Sequence, residues 1–395
     1  MNARWLADRT FKVLLVPLML AGALIVAAPG GALASTCVSW TGVQPPNPGS
    51  DNELIGVAVL SSCRAWAVGH YFNGTTDQTL IEHWNGSAWK LVPSPNPGGS
   101  ANFNDLYSVT ATSAGDAWAV GLHLNSFAPQ TLAEHWNGSA WVQVPSPNPG
   151  GPTNNQLLQG VAATSASNAW AVGFYFNGTT GVLTLIEHWN GSAWRQVTSP
   201  NPSSLRPRAN VLTGVAATSA SNAWAVGYYS NGTADQTLTE HWNGTSWRQV
   251  PSPDPGGSAN DNHLLGVAAT SASNAWAVGY YSNGTADQTL IEHWNGTSWR
   301  QVPSPDPGGS ANDNILNGVA ATSASNAWAV GDYNNGTAKQ TLTEHWNSSA
   351  WVQVPSPNPG GPANDNGLNG VSATSAINIW AVGAAVGQTV AVHCC

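Results

Sequence analysis

A glutamate followed by histidine and tryptophan recurs through this sequence. A carboxylate beside an imidazole is the material from which acid–base catalysts and zinc sites are made. The histidines are His83, His135, His188, His241, His293, His345 and His393, and each but the last follows a glutamate. Their placement works against shared chemistry. If each copy sits on its own sheet, neighbouring sheets lie about 10 Å apart, whereas the ligands of one zinc converge to about 2.0–2.2 Å from it. Adjacent residues of one strand also point to opposite faces, which separates each Glu from its His. These side chains are expected to bond loops or neighbouring sheets. No metal site, no catalytic residue and no cofactor is expected.

Other chemistries meet similar obstacles. An arginine cluster for a substrate carboxylate has only Arg64, Arg195, Arg206, Arg208, Arg248 and Arg300 to draw on beyond the N-terminal segment. Of these, Arg195, Arg248 and Arg300 share one repeated position and do not converge. Glycoside hydrolysis needs two carboxylates about 5–10 Å apart, and the repeated glutamates supply one per copy. The run Ser310-Ala311-Asn312-Asp313-Asn314 lacks the alternating ligands and closing bidentate acid of a calcium loop. Asn-Gly-Thr and Asn-Gly-Ser triplets match the glycosylation acceptor pattern, but turns require the same residues. The PSPNP segments read as connectors, although Pro-rich stretches also serve as recognition motifs.

The scaffold that must hold these residues is written as a repeat. Trp-Ala-Val-Gly begins at Trp66, Trp118, Trp170, Trp224, Trp276, Trp328 and Trp380, with intervals of 52, 52, 54, 52, 52 and 52 residues. The best-preserved unit runs from Leu264 to Asn314 and divides into four β-favouring stretches, Leu264 to Thr270, Ala275 to Tyr281, Gln288 to Trp294 and Ser298 to Val302. Between them lie Asn-Gly and Ser/Asn-rich turns, the strongest short-range hairpin signal. Four antiparallel strands in a unit of this length make a propeller blade. The small residues of GVAAT suit the crowded innermost strand. Three tryptophans per intact unit, such as Trp276, Trp294 and Trp299, suit the packing between blades. The expected fold is all-β, a seven-bladed β-propeller of four-stranded antiparallel blades.

The two ends say how the ring closes. CVSWTGVQPPNPGSDN aligns with the fourth-strand segment TSWRQVPSPDPGGSANDN, and GQTVAVHCC aligns with the third-strand segment DQTLIEHWN. The last blade is therefore composite, with its fourth strand from about residues 37–48 and its remaining strands from 367–395. Six full repeats of about 52 residues lie between. Cys394 and Cys395 fall just before the turn that this blade lacks, and Cys37 falls just after it. A disulfide from Cys37 to Cys394 or Cys395 would replace the missing link, with Cys63 available to the other. The chain-entropy model assigns so long a loop about 4–5 kcal/mol.

Only 8% of residues are charged, against about 25% in ordinary soluble domains. The first 34 residues stand apart. Arg4, Arg9 and Lys12 precede the apolar run VLLVPLMLAGALIVAA, and Ala32-Leu33-Ala34 offers a small-residue cleavage site, the pattern of a secretory signal peptide. The expected organisation is a signal peptide at 1–34 and the propeller at 35–395. Cleavage leaves 8 basic and 19 acidic residues, a net charge near −11. Nucleic acid and anionic membrane are poor partners for such a surface.

The pattern AWAVG…LIEHWNGTSW resembles bacterial secreted β-propeller repeats of the kelch and Asp-box kinds. Gly296-Thr297-Ser298-Trp299 keeps the ending of an Asp-box repeat, but Trp294 stands where its Asp belongs, and Gly279 is single where kelch blades carry paired glycines. The resemblance implies the architecture and no particular activity, since one fold hosts many functions. Loop aromatics remain: Tyr71, Phe72, Phe127, Tyr175, Phe176, Tyr229, Tyr281 and Tyr333. With Asn, Ser and Thr around them they would suit a neutral carbohydrate, although they also suit the core between blades. The expectation is an exported, monomeric, non-enzymatic propeller that binds extracellular glycan or protein. The rivals are a protein–protein scaffold and a divergent glycan-acting enzyme.

Overall fold

The computed structural model describes Cys37 and residues 39–125, 127–203 and 209–394. The expected signal peptide, Arg206, Arg208 and Cys395 lie outside the described residues. Every regular element described is a β-strand, and the strands form seven four-stranded antiparallel sheets. We number the blades 1 to 7 in chain order, beginning at residues 52, 104, 156, 210, 262, 314 and 366. In blade 5 the strands, from the axis outward, are Asn262–Ser271, Asn274–Ser282, Asp287–Trp294 and Trp299–Gln301. Blade 7 is composite: Thr41–Val43 pairs with Gln388–Cys394, placing Thr41 opposite His393.

The repeated glycine of Trp-Ala-Val-Gly is there because the chains come close. Each innermost strand carries a bulge, and in blade 5 a Cβ on Gly279 would lie 2.0 Å from the carbonyl oxygen of His263. The core sits between blades. Trp118 of blade 2, fully buried, packs against Trp189 at 4.7 Å and edge-on against Trp194 at 5.0 Å, both of blade 3. The same arrangement closes the ring, where Trp380 of blade 7 meets Trp84 and Trp89 of blade 1. Trp40, from the N-terminal strand, meets Trp328 of blade 6 at 5.4 Å.

Cys37 and Cys394 form the disulfide that seals the composite blade, with Cα atoms 5.6 Å apart. Such a bond fits an oxidising environment. Among the described residues Cys63 is exposed and has no disulfide partner.

The Glu-His-Trp copies are structural. His293 stacks on Trp276 at 4.2 Å, and its Nε2 lies 2.8 Å from Asn274 Oδ1. The glutamates do not bond loops as expected. Glu82, Glu134, Glu187, Glu240, Glu292 and Glu344 are fully buried. Apart from Glu187, which lies beside Ser146, their carboxyl oxygens meet no hydrogen-bond partner among the described residues. Burial pushes the Glu82 carboxyl up to about 8 and the other five well above the usual range. An uncharged acid is far cheaper to bury than a carboxylate. Burial therefore favours the protonated, uncharged form of each glutamate.

Candidate active site

The seven blades disagree most at one place, the start of the innermost strand. The side chains there are Glu53, Asp105, Leu157, Val211, His263, Ile315 and Gly367 in blade order. Opposite them on the second strand stand His70, Leu122, Phe174, Tyr228, Tyr280, Asp332 and Ala384. Blade packing fixes the residues farther along these strands, whereas this position, at the start of the strand, varies from blade to blade.

At blades 4 and 5 the variation assembles a relay. The His263 ring is sandwiched between Tyr228 at 3.9 Å and Tyr280 at 4.9 Å, both nearly parallel to it. His263 Nε2 lies 3.1 Å from Asp235 Oδ2, and the Tyr280 hydroxyl lies 3.2 Å from His263 Nδ1. With Nε2–H donating to Asp235, Nδ1 is left to accept from Tyr280. This is the connectivity of a triad, in which a carboxylate orients an imidazole that takes a hydroxyl proton. Tyr280 is pushed up to about 12, by burial first and then by Asp287, Tyr228, Asp261 and Asp235. Its hydroxyl therefore keeps its proton at neutral pH. Burial, then the charge of Asp313, also raises Asp287. Asp235, Asp261 and His263 present ligand atoms within 4.8 Å of one another, so a divalent cation would compete with the relay for the same atoms.

A second cluster lies at blades 1 and 2. His70 Nε2 is 3.8 Å from Glu53 Oε2, and the Tyr107 hydroxyl donates to Asp105 Oδ2 at 3.4 Å. Burial raises Asp105, with His70 pulling the other way. Glu53 and Tyr107 help to line the central channel, a space of about 500 Å³. Other lining residues are committed to the ring itself. Asn369 donates to Glu53 Oε1 at 2.7 Å and to the Leu54 carbonyl at 2.9 Å, tying blade 7 to blade 1.

The aromatics singled out from the sequence are not brought together. Tyr71, Tyr175, Tyr229, Tyr281 and Tyr333 pack against the cores between successive blades. Phe72 and Phe176 end their strands half-exposed, and Phe127 is 77% exposed. The relay residues escaped the sequence reading. A position-by-position comparison of the seven repeats would have shown His263 where the neighbouring blades carry Val211 and Ile315.

No family model matches the sequence, and no curated protein is similar enough in sequence to be a relative. Solved structures of the same shape do exist. The chain is similar to a virginiamycin B lyase from Staphylococcus aureus, with a TM-score of 0.60 and 13% identity over 90% of this chain and 99% of that one. It is also similar to an ulvan lyase, a polysaccharide lyase, with a TM-score of 0.54 and 11% identity over 91% and 95% of the two chains. At these identities the likeness is one of fold.

These neighbours correct the expectation of a non-enzymatic binding protein, because seven-bladed rings of this shape include enzymes. The expectation rests on the even distribution of the repeated Glu, His and Arg residues, one to a copy, which gathers no single site. Divergence among the repeats is concentrated at the start of the innermost strand, and one changed residue per repeat makes one junction unlike the rest.

Proposed function

We propose that the chain is an extracellular carbon–oxygen lyase acting on a neutral glycan, with an esterified uronan as the substrate class. The observation that carries this reading is the Asp235–His263–Tyr280 relay, present at one of seven equivalent junctions. Tyr280 takes the proton next to the substrate carbonyl as its own proton passes to His263, and Asp235 steadies the imidazolium. The electron pair left on carbon forms the double bond, and the carbon–oxygen bond one position away breaks. The leaving oxygen recovers a proton from Tyr280, and His263 returns its proton to the phenol. The step is redox-neutral and needs no co-reactant.

The surroundings favour a neutral substrate. Asp235, Asp261 and Asp287 crowd the relay, and like charge repels a free uronate. An ester removes that charge and leaves the neighbouring C–H acidic. The likeness to two lyases supports an elimination over a hydrolysis. Export rests on the N-terminal pattern and the disulfide. Kinship with kelch and Asp-box repeats, carried by Gly296-Thr297-Ser298-Trp299, belongs to the same proposal.

The test is to incubate the oxidised chain with methyl-esterified and de-esterified polygalacturonan and follow the ultraviolet absorbance of the new conjugated double bond. Absorbance should rise with the esterified polymer only, and His263→Ile should abolish the rise. New reducing ends without absorbance would replace elimination by hydrolysis. No change in either polymer, or an unaffected His263→Ile variant, would remove the relay from the chemistry.

A further inference from the structure

The seven junctions also differ on the face away from the mouth, where the turn between the first two strands meets the turn before the fourth. At this turn the Oδ1 of Asn168, Asn222, Asn274, Asn326 and Asn378 accepts from the histidine Nε2 of its own blade. Blade 2 substitutes Asp116, which lies 2.7 Å from His135. Blade 1 substitutes Arg64, which cannot accept a hydrogen bond. The consequence is visible in the ring geometry: Trp66 and His83 are inclined by 49°, against 14–33° for the other six pairs.

A second departure faces the first. In blades 3, 4 and 5 a Cβ on the turn glycine would lie 3.0–3.1 Å from the Cβ of Ser167, Ser221 or Ser273. Blade 2 has Gly115 at the serine position, so Gly138 faces no side chain there. Together the two changes open a groove of about 460 Å³ between blades 1 and 2. Trp136, half-buried and lying over the buried Trp66 at 4.9 Å, forms its apolar wall, and Val92, His83 and Arg64 complete it. His83 is held below its usual range, by burial first and by Arg64 second, so it adds no second cation at neutral pH. Among the described residues Arg64 belongs to no ion pair.

We propose that this groove binds a carboxylate-bearing sugar ring, a uronic acid in its free form. The guanidinium offers a fork of donors matched to a carboxylate. The indole surface suits the apolar face of a pyranose, and the volume falls in the range of small-molecule sites. The chain has few cations, and this one shares the groove with an indole and, among the described residues, has no carboxylate partner. The inference is independent of the relay at blades 4 and 5.

The test titrates the oxidised chain with D-glucuronate and with D-glucose by calorimetry. Two variants restore what other blades carry, and both are therefore compatible with the fold: Arg64→Asn and Gly115→Ser. Glucuronate should bind and glucose should not. Arg64→Asn should weaken glucuronate at least about tenfold, the cost of losing a charged hydrogen bond. Gly115→Ser should weaken it by filling the groove. His263→Ile should leave it unchanged. Absence of glucuronate binding to the native chain, equal binding in Arg64→Asn, or dependence on His263 would each overturn the assignment.

Discussion

The junction between blades 4 and 5 and the junction between blades 5 and 6 are built alike. In the first, the Asp235 amide donates to Asp261 Oδ1 at 2.8 Å; in the second, the Asp287 amide donates to Asp313 Oδ1 at 3.1 Å. Both have a tyrosine on the earlier blade, Tyr228 and Tyr280. They part at the innermost strand, where His263 is replaced by Ile315, and across from it, where Tyr280 is replaced by Asp332. Asp332 then pairs with Lys339 of its own blade at 3.1 Å, and the second junction has no imidazole and no relay. In a ring of near-copies, chemistry comes from the departures, and the unchanged copies show what each departure replaced.

The largest effect is expected from erasing that difference. His263→Ile gives blade 5 the residue of blade 6, and turnover should fall by about 10²–10⁴, the usual contribution of a positioned acid–base group. Thermal stability, measured on the same samples, should stay close to that of the native chain, because Ile315 already occupies this backbone. A variant that lost activity only by unfolding would break the comparison.

A smaller effect should separate the mouth from the scaffold. The buried glutamates have folded pKa values raised above the unfolded value, so their stability is complete below about pH 4.5 and is lost as pH rises through the folded value, about 8 for Glu82. The histidines His83, His188, His241, His293, His345 and His393 are lowered by burial and act oppositely, losing stability as pH falls below about 6.5. Between about pH 6.5 and 8 the histidines no longer oppose the glutamates, and stability should decline with rising pH. Glu292→Val, which copies Val392 of blade 7, should flatten that decline in denaturant titrations at several pH values. An unchanged slope would mean that the buried acids are not its source.

The smallest effect concerns one turn. Blade 6 has Ser348 at φ 79° where the other intact blades have glycine, as at Gly296 with φ 93°. Ser348→Gly relieves a conformation that costs a non-glycine residue about 1 kcal/mol. A rise in melting temperature of about 1–2 °C should follow, and a fall would show that the Ser348 hydroxyl, 3.2 Å from the Ser325 carbonyl, matters more than the backbone.

The scaffold was legible because its signals repeat. Seven Trp-Ala-Val-Gly anchors marked the second strands, and the complementary ends predicted the composite blade that Thr41–Val43 completes. The pairing of Cys37 with Cys394 followed from the same alignment, although the alignment alone left Cys395 equally eligible. The relay was not legible, for two reasons. Reading the repeats by their consensus hides the positions where they differ. Asp235, His263 and Tyr280 also come from three strands of two blades, and only strand register shows that residues 28 and 17 positions apart meet.

The composite blade also fixes an order of events. Six blades can form from neighbours in sequence as the chain emerges, since each hairpin is local. The seventh joins residues 357 positions apart, and long-range pairing is slow because the ends must find each other first. Until then the first innermost strand and the last blade each present an uncovered face. The N-terminal strand must wait for the final seven-residue strand before it has a partner, so closure is the committing step of assembly. The disulfide turns that step into a lock.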